Sequence, residues 1–151
     1  MAPRRRLRLV AAMLAVLTLG SAGPAYAASP GAGRIGLSAA RWVEVTFENI
    51  TGEFLTKFSE SIEDGKWNVH PPKVIVGFDT QIWGTESNGF LTGTEASVTY
   101  RVWDQDVYIY WNNPYFGGNT YYCVPPRHMI CNISGGGGRG ARVKFQLKIG
   151  G

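Results

Sequence analysis

The last third of this chain contains no acid. Residues 107–151 carry five Lys or Arg together with His128, whereas all 11 Asp and Glu fall within residues 28–106. Histidine is scarce, with only His70 and His128. His70 stands before Pro71-Pro72 with no cysteine or patterned carboxylate beside it. Neither a G-x-S-x-G elbow nor an H-E-x-x-H zinc motif occurs. The glycine run Gly135–Gly140 (GGGGRG) lacks the Lys-Ser/Thr with which a P-loop reaches phosphate. Glu95, in GTEAS, is a lone carboxylate opening a strand and reads as structural. These absences argue against an enzyme and leave no catalytic residue, metal site or cofactor to expect.

Long apolar runs are missing too. Leu9–Leu19 forms a run of eleven residues, short of the about 20 that a helix needs to span a bilayer. With Arg4, Arg5, Arg6 and Arg8 before it and Ala25-Tyr26-Ala27 after it, the run reads as a secretory signal peptide of bacterial type. Cleavage is expected after Ala27 or Ala28, by the general secretory route rather than the twin-arginine one. Export removes four of the 15 basic residues and leaves 11 against 11 acids. The precursor pI of about 9.2 therefore gives no reason to expect a nucleic-acid partner. The remaining asymmetry, a basic C-terminal third, suits an anionic surface.

Three segments follow: the signal peptide 1–27, a small-residue, Gly-containing leader 28–40, and one domain over 41–151. From Arg41 the pattern has period two. Val43, Val45 and Phe47 oppose Glu44, Thr46 and Glu48, and Ala96, Val98, Tyr100 and Val102 form a second such face. Val143, Phe145, Leu147 and Ile149 form a third. Phe54, Phe58 and Ile62 alternate less cleanly. Shorter pieces lie at 66–69, 74–76, 80–84 and 120–124, with a hairpin turn at 104–106 and a loop at 135–138. No helical stripe appears. About eight short strands at this spacing predict an all-β fold, a single antiparallel β-sandwich. Segments 43–47 and 96–102 fall short of the about 9–11 residues of a membrane-spanning strand, which predicts binding without autonomous pore formation.

What the chain does have is aromatic side chains. Tyr108–Tyr122 (YIYWNNPYFGGNTYY) holds seven in fifteen residues, without a charge, and they continue through the turn residues. Loops face solvent, so Tyr115 and Phe116, bracketed by Pro114 and Gly117-Gly118, are expected at the surface. Trp111 ends a strand, and Trp42, Trp83 and Trp103 read as packing residues. Cys123 and Cys131, the only cysteines, are expected to pair in an oxidising compartment. A metal site with His128 is the poorer alternative.

The segment Tyr110-Trp111-Asn112-Asn113-Pro114-Tyr115, followed by Gly117-Gly118-Asn119-Thr120, resembles the central motif of the aegerolysin family, especially its bacterial crystal-protein-like members. Trp42–Phe47, Gly65-Lys66-Trp67 and Glu86–Tyr100 are similar to the family in the same order. The likeness covers residues 41–149. It implies a cytolysin-type β-sandwich that binds membrane lipid, such as sphingolipid–sterol mixtures, and that in several members permeabilises membranes only with a larger pore-forming protein partner. Carried over, Trp111, Pro114 and Tyr115 match the motif, with Phe116, Tyr110 and Trp67 beside them as lipid-contacting candidates. Asn113 departs from the family by standing where fungal members often have Cys, and the Cys123–Cys131 pair is a second departure. The alternative is a lectin, with the rings stacked on sugar and Asn112, Asn113 and Asn119 bonding hydroxyls. Mass analysis of the protein exported by a secreting host should find a chain beginning at Ala28 or Ser29; an intact residue 1–27 segment on the exported product would contradict the signal reading.

Overall fold

Strict alternation of apolar and polar residues yields strands with one buried face, and the first strand shows the rule. In β1 (Trp42–Asn49) Val43, Val45 and Phe47 are fully buried while Glu44, Thr46 and Glu48 face outward. The computed structural model describes residues 39–151. The expected signal peptide, and all of the leader except its last two residues, lie outside the described residues.

Nine further strands follow: β2 (Leu55–Asp64), β3 (Lys66–Val69), β4 (Val74–Ile75), β5 (Asp79–Glu86), β6 (Thr94–Val102), β7 (Gln105–Asn113), β8 (Thr120–Val124), β9 (Met129–Gly135) and β10 (Gly140–Ile149). They form two five-stranded sheets, β3-β5-β1-β10-β9 and β4-β2-β6-β7-β8. The all-β sandwich expected from the pattern is thus observed. One pair corrects the antiparallel expectation, because β1 and β10 run parallel from Trp42↔Gly140 to Asn49↔Leu147. A parallel pair needs a long crossover, and the whole second sheet lies between these two strands in the chain.

The inner faces interdigitate. Phe47 stacks at 5.8 Å from Trp83 and 6.3 Å from Tyr100, and Val98, Ile109, Val143, Phe145 and Leu147 fill the space around them. Each such fully buried side chain contributes about 1.5–3 kcal/mol. Ile149 keeps the inward phase of β10 but lies past the core and is half exposed.

β2 departs from its reading. Bulges between Lys57 and Ser59 and between Ile62 and Asp64 shift its register against β6. Leu55 enters the core, while Phe54 and Phe58 stand outside at 65% and 61% exposure. The β6–β7 hairpin also corrects an expectation: both strands have nine residues, so length does not prevent it from spanning a bilayer. The constraint is the core, since Val98, Tyr100, Ile109 and Trp111 leave it if the hairpin leaves.

β9 has no counterpart in the sequence pattern. It is an edge strand whose residues after Met129 are largely exposed, so no alternation marks it. Cys131 on β9 bonds Cys123 on β8, with Cα atoms 6.0 Å apart. The expected disulfide therefore joins the edge of one sheet to the edge of the other. Closing a loop of this size stabilises by about 2.5 kcal/mol in the chain-entropy model. Replacing both cysteines by serine should lower the unfolding free energy in urea by about that amount. Unchanged stability, or two free thiols in aerobically purified protein, would contradict the role assigned to the bridge.

Candidate functional site

The sandwich has two loop ends. One, here the Phe116 end, gathers residues 39–41, the β5–β6 loop (87–93), the β7–β8 loop (114–119) and the β9–β10 loop (136–139). The other, the Trp103 end, gathers residues 50–54, 76–78, 103–104 and 125–128.

Phe116 is 79% exposed at the tip of the β7–β8 loop, edge-on to the Tyr115 ring at 4.8 Å. The loop is fastened from outside its own sheet. Arg41, just before β1, donates Nε–H to the carbonyl of Pro114 at 2.9 Å and Nη2–H to that of Tyr115. Its guanidinium also lies 5.0 Å over the Tyr115 ring. Gly117 supplies the left-handed turn at φ +103° that ends the aromatic pair. In the next loop Phe90 is 91% exposed, and Leu91 takes a positive φ of 59°.

Pro114, Tyr115 and Phe116 are therefore brought together, and the other three expected residues are elsewhere. Trp111 corrects its surface assignment: it is fully buried and donates its indole N–H to Thr85 Oγ1 at 2.9 Å. The inward phase of β7 requires this, because Val107, Ile109 and Trp111 share one face. Trp67 is half-buried, edge-on to Trp111 at 5.7 Å and stacked on His70 at 5.3 Å. Tyr110 lies on the outer face of β7, where it bonds Glu95 at 2.7 Å and pairs with Tyr122 at 5.5 Å. Burial first, and the Glu95 hydrogen bond second, push the Tyr110 phenol above its ordinary pKa.

Beside Phe116 a cavity of about 500 Å³ opens between the β7–β8 and β9–β10 loops, with Arg41 and Arg139 on its wall. Its floor is a set of side-chain donors. Asn113, 1% exposed, gives its amide to the carbonyls of Trp42 (3.1 Å) and Arg139 (2.8 Å). Asn119 donates to Gly136 (2.7 Å) and Gly138 (2.9 Å), and the Tyr121 hydroxyl to Gly136 (2.7 Å). Burial raises the Tyr121 phenol pKa, against an opposing hydrogen bond with Asn119, so it stays a neutral donor. Asn113 and Asn119 are thus engaged with backbone and do not offer free amides to a sugar. Gly136, at φ +87°, has no room for a Cβ against the Tyr121 ring.

The pattern reading missed Phe90, whose only signal is a Phe-Leu pair directly after the turn-forming Asn88-Gly89. It also missed an aromatic group at the Trp103 end, where Phe54, Phe58, Phe78 and Trp103 are 58–80% exposed. Trp103, expected to pack, is 58% exposed because its φ of 54° turns it out at the hairpin. Among the described residues no group of three or more His, Cys, Asp or Glu could hold a metal. Among them too, no helix is long and apolar enough to cross a membrane.

No family model matches the chain. An uncharacterized protein of Dictyostelium discoideum is 29% identical over 102 residues, covering 50% of this chain and 9% of that protein. The chain thus spans less than a tenth of the length of this curated relative. The crystal structure of the lipid binding protein Nakanori is similar with a TM-score of 0.62 at 17% identity, covering 75% of this chain and 72% of that one. At that identity the likeness establishes the sandwich fold.

Because Trp111 is core, Trp111→Ala should lower the unfolding free energy by about 3–5 kcal/mol, read as a fall in urea midpoint. A variant of native stability that had lost only ligand binding would restore Trp111 to the surface.

Proposed function

We propose that this chain is a secreted lipid-binding protein of the aegerolysin type, which docks on a membrane surface with its Phe116 end. The observation that carries the proposal is Phe116 itself, 79% exposed on a loop hydrogen-bonded to Arg41. Displaying a large ring on a fastened loop favours partition into the headgroup region without first ordering the loop. Phe90 in the neighbouring loop adds a second ring. Each ring adds a limited increment, and together with basic groups they give reversible docking. The motif resemblance over residues 110–120, and a fold shared with a solved lipid-binding protein, support the same reading.

The bound lipid is of the sphingolipid–sterol kind that the resemblance implies, and permeabilisation requires a larger pore-forming partner. The support for that dependence is energetic: freeing the β6–β7 hairpin exposes Tyr100 and Trp111, both fully buried. A carbohydrate reading keeps one supporting observation, the exposed Tyr108 and Tyr122 on the sheet face that carries Glu95 and Asn112. Glycan binding abolished by Tyr122→Ala, without affinity for protein-free vesicles, would favour it.

Vesicle co-sedimentation separates the two loop ends. Phe90→Ser with Phe116→Ser should weaken binding about tenfold or more, whereas Phe78→Ser with Trp103→Ser should leave it within about twofold. The reverse pattern would contradict the assignment. Dye-loaded vesicles should stay sealed with the purified protein alone, and leakage would contradict the need for a partner.

A further inference from the structure

The cavity beside Phe116 has a polarity that lipid docking through aromatic rings does not require. The carbonyl oxygens of Gly136, Gly138 and Arg139 are all held from beneath by Asn113, Asn119 and Tyr121. With its oxygens turned inward, the loop has its N–H groups left over. Among the described residues, the N–H groups of Gly137, Gly138 and Arg139 make no hydrogen bond. Gly135, Gly136 and Gly138 all adopt positive φ, at 77°, 87° and 84°. Successive free N–H groups in such turns form a concave site of positive potential.

Charged groups add to this potential. No acid lines the cavity, while Arg41 and Arg139 do. Arg41 uses Nε and Nη2 to fasten the aromatic loop, so its Nη1 remains for a ligand. Arg139 is exposed and, among the described residues, forms no ion pair, unlike Arg142 on the neighbouring strand, which pairs with Glu44. Two guanidinium groups with a set of unpaired N–H groups match the oxygens of a phosphate better than a single carboxylate, because phosphate offers more acceptor oxygens in a tetrahedral array. Gly137 and Gly138 leave open space where a Cβ would stand, so an anion approaches the backbone closely.

We propose that this cavity binds a phosphate ester anion, and that in the docked protein the anion is the phosphate of a phospholipid headgroup. The second half rests on the docking reading above; the first half stands on the cavity alone. Phe116 would then sit in the interface beside the phosphate, with the headgroup held between the β7–β8 and β9–β10 loops.

The test uses the exported protein, glycerol 3-phosphate as the soluble probe, and vesicles of a phosphate-free betaine lipid alone or with phosphatidylglycerol or oleate at equal charge. Oleate supplies negative charge without phosphate. Glycerol 3-phosphate, but not glycerol or chloride at the same ionic strength, should shift the amide resonances of residues 137–139 in the wild type and in Phe116→Ser. The shifts should vanish in Arg139→Gln and in Gly137→Asp, whose carboxylate enters open space. Phosphatidylglycerol should strengthen vesicle binding about tenfold over the betaine lipid alone, and Arg139→Gln should remove that increment at unchanged thermal stability. Absence of shifts in the wild type, or shifts that survive in Arg139→Gln, would overturn the proposal, and an equal increment from oleate would overturn its phospholipid half. Shifts without any vesicle increment would support the phosphate site with a soluble ester as its ligand. If Phe116→Ser leaves vesicle binding intact while the shifts persist, the docking reading fails and the phosphate site stands.

Discussion

One buried amide organises the Phe116 end. Asn113 closes β7 in the second sheet's central hairpin, and its side chain reaches across to the carbonyls of Trp42 at the start of β1 and Arg139 just before β10. A buried polar group left without partners costs about 1–3 kcal/mol, so this residue is stable only where both sheets begin together. Its position sets the next contacts in turn. Fixing Trp42 places Arg41 over the aromatic loop, and fixing Arg139 turns the glycine loop's carbonyls inward. The exposed Phe116 and the cavity beside the glycine loop are both consequences of how the sandwich is tied at that point.

The fold was legible where side-chain alternation is strong. β1, β6 and β10 each bury alternate residues as their pattern implies, because a sheet with one face on the core makes that period obligatory. It was illegible where pairing, not pattern, defines the strand. β9 is recognisable only from its partner β10 and from the disulfide that holds its edge. The parallel β1–β10 pair is a matter of topology, to which a period of two is blind. A bulge likewise hid the outward turn of Phe58, which is itself the extra residue between Lys57 and Ser59, so that Ile62 beyond it faces the core and Phe58 does not.

The site was legible in part for the same reason. Pro114, Gly117 and Gly118 mark a loop whatever the tertiary context, so Tyr115 and Phe116 could be placed from residue types alone. Trp111 could not, because a tryptophan ending a strand next to a turn has the same local signature whether its ring points in or out. Thr85, 26 residues earlier, supplies the acceptor that decides it. The asymmetry of charge acquires a place as well: the acid-free C-terminal third supplies most of the cavity wall, and the acids of β1 are engaged by Arg142, Lys144 and Gln146 on β10. The opposite end carries exposed rings too, with Phe78 and Trp103 in the left-handed region where bulky residues are strained. Its rings are mixed with carboxylates, however, and Trp103 itself donates to Glu53 at 3.1 Å.

The central claim is that the Phe116 end faces lipid. Paramagnetic broadening of amide signals by spin-labelled lipid in bilayers reads that orientation residue by residue. Broadening is expected at Phe90, Phe116–Gly118 and residues 137–139, with the signals of Phe54, Phe78 and Trp103 left sharp. Broadening at Phe54, Phe78 and Trp103 with a sharp Phe116 loop would contradict it.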